Sequence, residues 1–195
     1  MQLNDHVALR KLAARQFKEK RISSALKKCV KKLSAKSSAD LAQLKTLAYA
    51  LYVHGYEGEA LAAAQVIAGE EFRGDFQIWT PIEKILLLQL WIYRHAGKDK
   101  EAGVILRKIE EPMTAHEEAL RRRLSFAWLS DAVIVRYEKA GDMKTANNSR
   151  FSDLGELLFI WALGNGRKDL DENTPDIAGA EDRFREYVKV LRNAG

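Results

Sequence analysis

Four histidines, His6, His54, His95 and His116, are the side chains best suited to ligate a metal or carry a proton near neutral pH. They are scattered, and no two have the spacing that puts a metal-binding pair on one helix face. The single cysteine, Cys29, lies in Lys27-Lys28-Cys29-Val30-Lys31-Lys32, where neighbouring ammonium groups favour the thiolate. A small packing residue on a helix is the plainer role for it. One cysteine makes neither an internal disulfide nor a cysteine-built metal site. Asp169-Leu170-Asp171-Glu172-Asn173 opens like a calcium loop, but Thr174 stands where the sharp turn needs Gly and Ala180 where the closing Glu belongs. A solvated acidic loop is the better reading. No nucleophile elbow, phosphate loop or dinucleotide fingerprint occurs. These residues predict no catalytic centre, no metal and no cofactor.

Charge is more informative than chemistry. Residues 1–36 hold eleven Lys or Arg against Asp5 and Glu19, a balance of +9, whereas the rest of the chain carries 21 bases and 25 acids. Arg10, Lys11, Arg15, Lys18, Lys28, Lys31 and Lys32 could form a basic patch for nucleic acid or another anionic surface. Phe17 is the one aromatic residue there on which a base could stack. Charge runs on helices also serve as solvated faces, and the same patch suits an acidic protein.

The elements that must carry these residues are helices. Ala, Leu, Lys, Glu and Arg dominate, with only three Pro and twelve Gly in 195 residues. A 47% hydrophobic content supports a packed core. Gly followed five residues later by Ala recurs as Gly55 and Ala60, Gly97 and Ala102, Gly141 and Ala146, at steps of 42 and 44 residues. Leu51, Tyr93 and Tyr137 each stand four residues before the Gly. This order predicts helical hairpins: the Gly ends a first helix in a left-handed conformation, and the Ala lies early in the second helix where the two axes come closest. Leu44, Leu47, Ala48 and Leu51 form one apolar stripe, and Leu61, Ala64, Ile67 and Ala68 its partner. Leu86, Leu90 and Tyr93 face Ile105, Leu106 and Ile109 in the same way. Thr80-Pro81-Ile82-Glu83 and Thr114-Ala115-His116-Glu117 are capping boxes that predict helix starts.

This pattern resembles the tetratricopeptide repeat family, through Leu44, Leu47, Ala48, Leu51, Gly55, Glu59, Ala60 and Leu61 in one copy. Leu86, Leu90, Tyr93, Gly97, Glu101, Ala102 and Ile109 carry it in the next, and Leu9, Leu12, Ala13, Ala25 and Leu26 mark an earlier one. The resemblance covers about residues 5–150. It implies an all-α fold, a right-handed α-α superhelix or solenoid of three to four helical hairpins with a C-terminal capping helix. The single domain, 1–195, then divides into a basic N-terminal hairpin at 4–36, repeats at about 38–70, 80–111 and 114–163, and a capping helix at about 178–193. Phe184, Tyr187, Val188 and Leu191 form the apolar side of that last helix. Proteins of this family hold peptides along a concave groove. Its groove-facing places fall on Lys45, Tyr49, Tyr52, Lys84, Trp91, Arg94 and His95 here. Tyr, Trp and Arg are the usual interface anchors. Aromatics at helical spacing also build cores, and Trp91 suits either place.

The function implied is a non-enzymatic protein-protein interaction module that binds a protein or peptide in the groove. Similar bacterial proteins include adaptors, secretion chaperones and toxin-immunity proteins. The alternative is a nucleic-acid-associated regulator using the basic N-terminal helices. A cytoplasmic location is expected from the lone cysteine and from the absence of a signal-peptide order in Met1 to His6. The most apolar stretch, Ile82 to Tyr93, contains Glu83 and Lys84 and is too short to span a bilayer.

Overall fold

Gly55 and Gly97 have φ of +85° and +67°, the left-handed region that side chains with a Cβ avoid. Each closes a helix with the same pair of hydrogen bonds. The Gly55 N–H donates to the Tyr52 carbonyl and the Tyr56 N–H to the Leu51 carbonyl, both at 2.9 Å. The Gly97 N–H donates to Arg94 at 3.2 Å and the Lys98 N–H to Tyr93 at 2.9 Å. These are Schellman closures. The recurring residue four places before each Gly is thus the one whose carbonyl accepts from the residue after the Gly, the bond that spans more of the chain.

The computed structural model describes residues 38–67, 69–115, 149–166 and 177–193. These residues form six helices and no strand: α1 (Ser38–Val53), α2 (Glu57–Gln65), α3 (Phe76–His95), α4 (Asp99–Ala115), α5 (Ser149–Gly166) and α6 (Ile177–Asn193). The glycine turns join α1 to α2 and α3 to α4, and each pair packs as a hairpin. Ala60 and Ala102 open the second helices and are fully buried against the first. A larger side chain at either place would force the axes apart, at a cost of about 1–3 kcal/mol.

Helix α3 is the centre, touching α1, α2, α4 and α5. It is buried without interruption from Pro81 to Ile92, as expected of a helix apolar on nearly every face. Helices α5 and α6 pack on each other, and both reach α1. Phe184, Tyr187, Val188 and Leu191 are the buried side of α6, in agreement with the amphipathic stripe read for it.

Two helix boundaries differ from the sequence reading. Helix α3 starts at Phe76, not after Thr80, because the Asp75 carboxylate accepts the Gln77 and Ile78 N–H groups at 2.8 and 3.3 Å. Thr80 donates instead to the Phe76 carbonyl at 2.7 Å, within the helix. Pro81 then lies inside α3. It removes one hydrogen bond, to the carbonyl of exposed Gln77. Helix α4 likewise runs through Pro112 to Ala115 instead of breaking before Thr114. The basic hairpin at 4–36 and the turn at Gly141 lie outside the described residues.

Candidate functional site

The residues assigned to the groove fall on two facing stripes, Lys45, Tyr49 and Tyr52 on α1 and Lys84, Trp91 and His95 on α3. The structure brings them together. The Tyr49 hydroxyl donates to the Lys84 carbonyl at 2.7 Å, and the Trp91 indole N–H donates to the Tyr52 hydroxyl at 2.6 Å. Tyr49 is wholly enclosed, and burial, reinforced by Glu156 and Glu83, pushes its phenol well above the usual tyrosine range. Burial also raises the Tyr52 phenol, against the opposing effect of its bond from Trp91. Both tyrosines are therefore neutral hydrogen-bonding struts.

Helices α5 and α6 cover this layer. The Lys84 ammonium reaches Glu156 of α5 at 2.6 Å, with the lysine side chain 8% exposed. A Cβ at Gly155 would stand 2.8 Å from Lys84 Cδ, so the glycine leaves room for the lysine stem to cross α5. Lys45 is half-buried nearby. Burial lowers its pKa to about 8, with Lys84 pushing the same way and Glu156 partly opposing. Trp91 sits among Phe184 at 4.6 Å, Trp161 at 5.0 Å and His95 at 3.9 Å between ring centroids, with the Arg185 guanidinium over its ring at 5.1 Å. Glu181 of α6 lies 3.3 Å from His95 Nε2 and accepts from Arg185 at 2.7 Å. The Arg185 bond is the main reason its carboxyl is held below the usual glutamate range. Arg192 ties the far end of α6 to the Val53 carbonyl at 2.7 Å.

Energy decides whether this cover is removable. Phe184, Tyr187, Val188 and Leu191 are all buried. At about 1.5–3 kcal/mol each, exposing them costs on the order of 6–12 kcal/mol, comparable with the whole stability of a domain. Helix α6 is part of the core. The groove residues thus form a packed layer, not an open channel: Tyr49, Lys84 and Trp91 are buried, and Lys45 and Tyr52 half-buried. Arg94 departs from the layer altogether. It is exposed and pairs with Asp99 at 3.5 Å across the α3–α4 turn. His95 lies at the exposed edge. An amphipathic stripe looks the same in sequence whether a partner or the chain's own helix covers it.

A different opening lies on the surface between the two hairpins. Leu41, Leu44, Val66, Ile67, Ile78, Trp79 and Ile82 enclose a cavity of about 280 Å³, and Glu70, Glu71, Arg73 and Asp75 also line it. Phe76 and Ile78 are each 39% exposed although both are large and apolar. Phe72 packs between Phe76 at 4.9 Å and Trp79 at 5.6 Å. The Trp79 indole N–H is buried without an acceptor. The repeat bounds of about 38–70 and 80–111 leave 70–80 between repeats, so the sequence reading missed this site. The available signal was the run Phe76-Gln77-Ile78-Trp79 placed before the capping box.

Among the described residues no group of three His, Cys, Asp or Glu could hold a metal ion, and no helix is long and apolar enough to cross a membrane. The basic patch, Arg10, Lys11, Arg15, Lys18, Lys28, Lys31 and Lys32, lies outside the described residues. Residues 6–177 match the model of a family described as being of unknown function, DUF6707. The chain belongs to that family. No tetratricopeptide family model matches it. Neither the curated proteins nor the solved structures contain a match.

Proposed function

We propose that this chain is a non-enzymatic protein-interaction module, a right-handed superhelix of hairpins that holds a protein segment at the opening between α1, α2 and α3. The observation that carries this reading is the apolar cavity beside exposed Phe76 and Ile78. Large apolar side chains left exposed together around a concavity are the usual mark of a protein contact. The buried layer from Lys45 to His95 then supports the shape of this surface without touching the partner. The setting is cytoplasmic, and the role is that of an adaptor, a secretion chaperone or a toxin-immunity protein.

Site-specific photo-cross-linking tests it. A cross-linking residue replaces Ile78 in one variant and Val104, 47% exposed on α4, in a second. One protein reproducibly captured through position 78 and not through 104 is the expected result. Failure of both positions to capture any protein refutes the reading. A second reading rests on the +9 balance of residues 1–36, which suits nucleic acid. It fails if the chain binds neither DNA nor RNA at low salt.

A further inference from the structure

We infer that the cavity between α1, α2 and α3 is an anchor site for a basic peptide segment, which inserts one large aliphatic or aromatic side chain and lays flanking Lys or Arg against the acidic rim. The inference rests on the protein-interaction reading above and names the chemistry of the partner. Volume comes first. About 280 Å³ holds one large side chain and falls below the roughly 300–1,000 Å³ of most small-molecule sites.

The walls and rim then choose the chemistry. Leu41, Leu44, Ile67 and Ile82 are buried aliphatic surface, suited to an apolar anchor. Even with Glu70 set aside, Glu71 and Asp75 outnumber Arg73 among the charged lining residues, so the rim favours cations over phosphates. Asp75 is held in place by its two bonds to the start of α3, which fixes one negative charge beside the cavity. The same rim argues against nucleic acid at this site.

Trp79 supplies the aromatic part of the wall, with its side chain 3% exposed. A flat ring beside aliphatic walls suits a large apolar anchor.

The test uses the full chain and fluorescein-labelled nine-residue peptides. One set has Lys pairs flanking a central Leu, Phe or Ala; a control set has Glu pairs flanking Leu. Anisotropy is expected to show binding of the Lys-flanked Leu and Phe peptides, with the Ala peptide roughly tenfold weaker and the Glu peptide weaker still. Ile78→Lys and Glu71→Lys should each weaken binding severalfold while leaving the thermal melt unchanged, because both side chains are exposed. The ¹⁵N–¹H signal of the Trp79 indole should shift on binding. The inference is overturned if no peptide binds, if the Ala or Glu peptides bind equally well, or if Ile78→Lys has no effect. Capture of a protein through position 78 alongside failed peptide binding removes this partner chemistry and leaves the interaction reading standing.

Discussion

Gly155→Ala is the sharpest probe of how α3 and α5 meet. On an isolated helix this change is favourable, because Ala exceeds Gly in helix propensity by about 0.8–1 kcal/mol. Here the new methyl would lie 2.8 Å from Lys84 Cδ, 2.9 Å from Cγ and 3.3 Å from Cβ. The closest of these is about 0.6 Å short of the 3.4 Å at which ordinary contact begins. Lys84 cannot simply swing away, because its ammonium is held 2.6 Å from Glu156 and the side chain is almost fully enclosed. Overpacking of this kind costs about 1–3 kcal/mol. Loosening the ion pair adds to that, so the helix-propensity gain is overcome and the net effect is about 1–2 kcal/mol of destabilisation. Gly103→Ala is the control: it lies on α4 with nothing within 4 Å of its added Cβ, and should stabilise by about 0.5–1 kcal/mol. The two variants should therefore differ by roughly 1.5–3 kcal/mol, or about 3–12 °C in Tm for a chain of this length. Urea and thermal melts followed by circular dichroism measure both. Lys84→Ala should abolish the penalty, making Gly155→Ala neutral or stabilising in that background. If Gly155→Ala stabilises the wild-type chain as much as Gly103→Ala does, the close crossing of Lys84 over α5 is wrong.

Tyr52→Phe removes the acceptor of the Trp91 indole N–H and should cost about 1–3 kcal/mol, because the donor is left buried and unpaired; a urea midpoint equal to wild type would contradict the bond. Lys45→Met should raise stability at pH 7, because burial holds the Lys45 pKa at about 8 against an ordinary 10.5. A base with a lowered folded pKa destabilises the fold while protonated, so the advantage of Met is full below pH 8 and fades as pH rises towards 10.5. An advantage that persists unchanged at pH 11 would refute this. Glu181→Gln acts in the acid range. The Glu181 pKa is lowered chiefly by Arg185, so its contribution is present above the ordinary glutamate pKa of 4.5 and is lost as pH falls through the lower folded value. Melts of the two chains should differ at pH 7 and coincide near pH 2; a difference that survives there would assign the effect to packing.

The turns were legible because their causes lie within six residues. A Gly at positive φ, the carbonyl four residues back and a small Ala five residues ahead are all local, so Gly55 and Gly97 announced their hairpins without any knowledge of the rest of the chain. The apolar stripes of α1, α3 and α6 were equally readable, because burial of one helical face follows directly from residue spacing. Helix ends were less so, since the Asp75 cap competes with the Thr80 box and only the assembled fold shows which one starts α3.

What covers each stripe was decided by tertiary structure alone. Tyr49, Tyr52, Lys84 and Trp91 lie together in the structure, yet the same residue types anchor a partner or fill a core. Contacts more than seventy residues away settle the matter: Lys84 to Glu156, Trp91 to Phe184 and Val53 to Arg192. The opening at Trp79 needed the same long-range information, because its walls come from α1, the end of α2 and α3 together. Local backbone physics wrote the hairpins into the sequence, whereas the choice between core and surface depended on which distant helix arrived to exclude water.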